Sequence, residues 1–177
     1  MYVLIVSPNN FPENDAGAVR DGCFAKIYQE LGYDVVHIGM NPDSEKGSFK
    51  GVRYYSIYQD NCGIARKISN SFSYGERLSQ VMKKIIKNSG KPSVIHMYDI
   101  PKSGIELLRK YSIKNNIRIV HDSVEWYSPC EFKMGCFAYP YLLKNRTKYK
   151  ADKKTNVCLC YKQIFTGVLF RKRIKNT

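Results

Sequence analysis

Residues 2–6, Tyr-Val-Leu-Ile-Val, form an unbroken apolar and largely β-branched run that ends at Ser7-Pro8-Asn9-Asn10. A run without polar alternation predicts a strand covered on both faces, and therefore a central, parallel one. From residue 18 to residue 31, Val19, Cys23, Phe24, Ile27, Tyr28 and Leu31 recur at helical spacing, and Gly32 stands where a helix stop is expected. Residues 34–38 predict a second strand ending at Gly39. Residues 40–51 are rich in Asn, Pro, Asp, Ser and Gly and read as a loop, and residues 52–58 as a third strand. Residues 59–73 show no decisive period. Leu78, Val81, Met82, Ile85 and Ile86 then give residues 74–88 helical periodicity, closed by Gly90 and Pro92. A further strand over 93–98 carries Asp99 at its carboxyl end, a helix over 101–115 opens with proline, and residues 117–122 form the next strand.

Strand and helix alternate throughout residues 1–125. That order calls for an α/β fold, a Rossmann-like doubly wound parallel sheet with helices on both faces. No internal repeat is visible.

Composition changes the picture at one end of the chain. The sequence of 177 residues has a formal charge of +14, which viewed whole suggests a nucleic-acid binder. Residues 1–143 hold 18 basic and 14 acidic side chains, whereas residues 144–177 hold 11 basic and one acidic. The basicity thus belongs to the tail, and nucleic acid is not an expected partner of the domain. The boundaries that follow are a folded domain over residues 1–150 and a basic tail over residues 151–177, expected to be non-native or poorly ordered. No apolar run approaches the length needed to span a bilayer. The opening lacks a basic stretch ahead of its apolar run, so the expected location is cytoplasmic, with the inner membrane surface as a place of peripheral contact. Six cysteines include one close pair, Cys158 and Cys160, and no second pair, so no metal site is expected and the thiols read as reduced.

In a doubly wound sheet, ligands bind outside the carboxyl ends of the strands. Three polar clusters fall there. The first runs from Asn9 to Arg20 and places Gly17 just before a helix, where free backbone amides attract phosphate and Arg20 can add a charged contact. The competing reading makes Gly17 a turn residue and Arg20 a solvated side chain. The second cluster is His96 and Asp99. The third is His121-Asp122-Ser123-Val124-Glu125-Trp126, which combines titratable groups with an aromatic plate suited to a sugar ring. For both of these, the competing reading is a histidine satisfied inside the protein with an aspartate capping the next segment.

Gly17-Ala18-Val19-Arg20, Phe24-Ala25 and Leu31-Gly32-Tyr33-Asp34-Val35, set after an apolar first strand, resemble the opening of the retaining glycosyltransferases of family 4. Val120-His121-Asp122-Ser123-Val124-Glu125-Trp126 resembles the His-Asp-x-x-Glu-Trp stretch of one bacterial branch of that family. The similarity covers residues 1 to about 145 and rests on several spaced elements in the same order. Ala18 stands where the family has a second glycine, which narrows a diphosphate approach, and Tyr33 replaces a histidine. The resemblance implies the amino-terminal, acceptor-side half of a GT-B enzyme that moves sugar from a nucleotide-sugar donor to a sugar-containing or lipid-linked acceptor. It implies no cofactor and no obligatory metal. Gly17 and Arg20 would lie on the donor diphosphate side, and His121, the expected catalytic residue, beside the transferred sugar. Asp122 and Glu125 would contact the acceptor, with Trp126, His96 and Asp99 around them. The donor-gripping carboxyl-terminal domain is expected to be missing from this chain, leaving it inactive alone.

The family continues with a segment reading approximately Ile-Ser-Lys-Tyr-Leu, whereas this chain reads Val157-Cys158-Leu159-Cys160-Tyr161-Lys162-Gln163-Ile164. Back-translation of residues 157–177, read one nucleotide later, permits the expected motif. An out-of-frame carboxyl end is the resulting expectation. Two rival readings stand beside the transferase. One is a non-catalytic Rossmann-like module whose basic tail engages an anionic partner. The other is a different Rossmann-like nucleotide enzyme, such as an epimerase or dehydrogenase.

Overall fold

In a computed structural model, residues 1–12, 15–59, 64–123 and 157–160 are described. The elements in chain order are β1 (Tyr2–Val6), α1 (Ala16–Glu30), β2 (Asp34–Gly39), β3 (Lys46–Phe49), β4 (Val52–Ser56), α2 (Ile64–Ser89), β5 (Val94–Tyr98), α3 (Lys102–Asn115), β6 (Arg118–Ser123) and β7 (Val157–Cys160). They build one sheet in the order β3-β4-β2-β1-β5-β6-β7. Every neighbouring pair is parallel except β3 with β4. The expected Rossmann-like α/β fold is what the chain adopts.

The apolar run at the start does what its composition dictates. All five residues of β1 are buried between β2 and β5. Leu4, Val6, Ile38, Ile95, Met97 and Ile119 pack on one face against Tyr74, Leu78, Met82 and Ile85 of α2 and Ile105 and Leu108 of α3. Val3, Ile5 and Val35 pack on the opposite face with Phe11 and with Ala18 and Ala25 of α1. Burying one such aliphatic side chain contributes about 1.5–3 kcal/mol, so this strand sandwiched between two helical layers anchors the fold.

Four features depart from the sequence-based expectation. The loop predicted over residues 40–51 contains β3, which runs antiparallel to β4 through a two-residue turn with Lys50 at φ 48° and Gly51 at φ 78°. Positive φ at both positions suits the twist of a tight hairpin, and glycine adopts it without strain. Residues 64–73 of the ambiguous stretch belong to α2, which begins at Ile64. Along α1 the apolar positions divide between two sides: Ala18 and Ala25 are buried, whereas Val19, Cys23, Ile27 and Leu31 just beyond the helix are exposed. Finally, Val157–Cys160 pair with β6, so the sheet extends into the stretch read as a separate tail.

Candidate functional site

The chain leaves β1 toward β2 on one side and reaches β5 on the other, so the order reverses between β1 and β5. Their carboxyl ends, with that of β6, frame the crevice where open α/β sheets bind ligands. Two buried polar nodes lie there, both reaching α1.

The first node fixes the β1–α1 loop. Asp15 caps α1, accepting from the Ala18 amide at 2.7 Å with one oxygen and from the Asn10 amide at 3.0 Å with the other. Within the first two turns, Asp21 Oδ2 accepts from the Ser7 hydroxyl at 2.6 Å and from the Asn9 amide group at 2.8 Å, and lies 3.0 Å from His37 Nε2. Ser7 Oγ is 3.2 Å from the same ring nitrogen. Burial pushes the Asp21 carboxyl up, but the hydrogen bond and charge of His37, with the bonds from Ser7 and Asn9, outweigh it and hold the group below the usual carboxylate range. Although serine, histidine and aspartate meet here, the set is no nucleophilic triad. Ser7 gives its proton to Asp21, and His37 meets both partners through one nitrogen, so no relay runs from serine through the ring. Phe11 stacks on that ring at 4.6 Å. Gly17 belongs to the same packing, because a Cβ there would overlap the Asn9 side chain. Its lack of a side chain therefore has a local steric cause.

The second node joins α1 to β5 and β6. Arg20 Nη2 donates to Asp122 Oδ2. The guanidinium also lies over the rings of Phe24, at 5.3 Å, and Tyr98, at 4.7 Å. His96 Nε2 is 3.6 Å from the same Asp122 oxygen, while His96 Nδ1 is 3.1 Å from the Tyr28 hydroxyl. Burial and then the nearby Asp122 carboxylate raise the Tyr28 pKa, which keeps the phenol protonated and able to donate to Nδ1. Phe24 meets the His96 ring edge-on at 4.7 Å. The Asp122 side chain is only 1% exposed, that of Arg20 25%. Asp122 Oδ1 is buried and has no hydrogen-bond partner among the described residues. A buried carboxylate oxygen without a donor is unusual and calls for a cause.

The predicted site residues separate accordingly. Arg20, His96 and Asp122 come together, with Gly17 on the first turn of the same helix as Arg20. His121 does not join them. It is in register with Met97, which packs toward α2 and α3, and successive strand residues point to opposite faces. Alternation therefore turns His121, 2% exposed, away from the α1 side on which Asp122 meets Arg20. Asp99 ends β5 in a left-handed conformation at φ 39°, half-buried before α3. Glu125 and Trp126 lie outside the described residues. Among the described residues no three His, Cys, Asp or Glu side chains converge as a metal ligand set.

Sequence reasoning missed Asp21, His37, Ser7, Tyr28 and Tyr98 as polar or aromatic partners. One signal was present: Asp21 occupies the stripe of Ala18 and Ala25, a charged residue on a buried helical face.

No family model matches the sequence, and no curated protein matches it. Among solved structures, the chain is similar to a UGT transferase from Siraitia grosvenorii in complex with UDP, at 10% identity and a TM-score of 0.45. The match covers 73% of this chain and 29% of that one, so it spans less than a third of that structure's length.

Proposed function

We propose that this chain is the acceptor-side domain of a retaining glycosyltransferase acting on a nucleotide-sugar donor. The observation that carries the reading is the Arg20–Asp122 node at the sheet's reversal point. An ion-paired guanidinium held between two aromatic rings sits one turn inside α1, where helix amides and positive charge favour a diphosphate. Beside it, Asp122 Oδ1 is an acceptor with no donor, the complement of a sugar hydroxyl. The order of sequence elements from Gly17 through Val35 and at residues 120–126 supports the same class. In this reading Arg20 offsets charge on the leaving diphosphate, Asp122 orients an acceptor hydroxyl, and His96 with Tyr28 holds the Asp122 carboxylate in place. His121 acts from behind the strand, as packing.

A dinucleotide-dependent enzyme fits less well. Such folds hold the ribose with an acidic residue at the end of the second strand, and here β2 ends in Gly39 followed by Met40 and Asn41. Titration of the 177-residue chain with UDP-glucose, GDP-mannose and NAD, followed by amide NMR shifts, tests the proposal. A nucleotide sugar is expected to shift residues 15–20 and 96–99 saturably, and Arg20→Ala to abolish the effect. Preferential binding of NAD, or no shift from either nucleotide sugar, would sink the reading.

A further inference from the structure

A separate cleft of about 680 Å³ opens on the other helical layer, between the β3–β4 hairpin and α2. Lys84 and Lys87, three residues apart and so on one face of α2, line one wall. Lys46 from the hairpin lines the other, with Tyr55 and Tyr58 between them. Glu45 is the single carboxylate among the lining residues. The three lysines make no ion pair among the described residues. Three lysines against one carboxylate give the cleft a positive lining whose field an anion would relieve.

The walls are built rather than loose. Ser56 donates its hydroxyl to the Asn41 carbonyl at 2.6 Å and its amide to the Glu45 carbonyl at 2.7 Å, which ties the 41–45 segment to the end of β4. The Tyr58 amide donates back to Ser56 Oγ at 3.1 Å. That bond holds the backbone of a tyrosine that is 42% exposed. A partly solvated aromatic ring with a polar tip is a surface on which the apolar face of a sugar ring can lie.

We infer that this cleft binds an anion-bearing saccharide, its ring against Tyr58 and its phosphate or carboxylate between Lys46, Lys84 and Lys87. The site is distinct from the crevice beside Arg20 and stands whether or not the transferase reading holds. Amide NMR titration of the full chain with glucose 1-phosphate, glucuronate, glucose and inorganic phosphate tests it. At least one of the two charged sugars should shift residues 44–46, 56–58 and 84–88 saturably. Glucose and inorganic phosphate should each bind about tenfold more weakly, since each lacks one of the two contacts. A response to glucose 1-phosphate alone identifies a phosphosugar site, and to glucuronate alone a uronic-acid site. The double variant Lys84→Ala/Lys87→Ala should weaken binding about tenfold. Tyr58→Ala should weaken the sugar but leave inorganic phosphate unchanged. Equal affinity for inorganic phosphate and glucose 1-phosphate, shifts confined to residues 15–20 and 96–99, or no saturable shift would each overturn the inference.

Discussion

Asp21 and Asp122 are both buried carboxylates that meet a histidine and reach α1, yet their surroundings differ in kind. Ser7, Asn9 and His37 converge on one oxygen of Asp21, and every partner comes from the loop after β1 or from β2. Asp122 takes its main partner from a long, partly exposed arginine, and its second, buried oxygen has no hydrogen-bond partner among the described residues. A carboxylate crowded by short rigid donors fixes a loop. One whose cation is partly exposed and whose second oxygen has no partner among the described residues retains acceptor capacity. The contrast separates a node closed on the β1–α1 loop from one whose cation reaches solvent, where residue types alone do not.

The comparison breaks first at Asp21. Asp21→Ala removes the group on which three others converge and leaves His37 without its carboxylate, so it should cost about 3 kcal/mol in urea unfolding. A cost below that of the corresponding Asp122 change would reverse the assignment. Next, Gly17→Ala should cost about 1–3 kcal/mol, because its new methyl collides with Asn9. Combining it with Asn9→Ala should recover part of the loss, and strict additivity of the two would show that Asn9 is not the obstacle.

Acid sharpens the same contrast. The Asp21 carboxyl titrates below its unfolded value, so its contribution is complete above the unfolded pKa of about 4 and is lost as pH falls through the folded one. Between pH 7 and pH 3 the wild type should therefore lose more stability than Asp21→Asn. Parallel losses in the two proteins would place the acid sensitivity elsewhere. Asp122→Asn should cost only about 1 kcal/mol, since Arg20 can turn to solvent and an amide oxygen can still accept from it. Arg20→Lys keeps a cation beside the buried Asp122 carboxylate and should have the smallest effect on stability while weakening the nucleotide-sugar shifts. If it unfolds the protein instead, the second node is as structural as the first.

Much of this arrangement was legible because buried parallel strands advertise themselves. Tyr2–Val6 has no polar residue to place, and both faces are covered. Lys46–Phe49 was not legible: an exposed edge strand with one apolar residue resembles a loop in sequence, and only its turn marks it. The face of α1 was unreadable for a different reason. Apolar residues occur all round that helix, and the buried side is carried by small alanines and an aspartate rather than by the larger Val19, Ile27 and Leu31. The strand that carries His121 and Asp122 was legible, since residues 117–122 read as a strand in the sequence. His121 and Asp122 are consecutive in a strand, however, and a two-residue period divides them between faces. Asp21 went unnoticed because its partners Ser7, Asn9 and His37 come from other elements that only the folded sheet assembles.

The β3–β4 hairpin also gives the sheet a polarity across its width. Its outer strand is four residues long, mostly exposed and carries a lysine, a poor template for a foreign strand seeking backbone partners. Self-association through sheet pairing is thereby discouraged on that flank, and any strand recruited from outside is directed toward the opposite flank beyond β7.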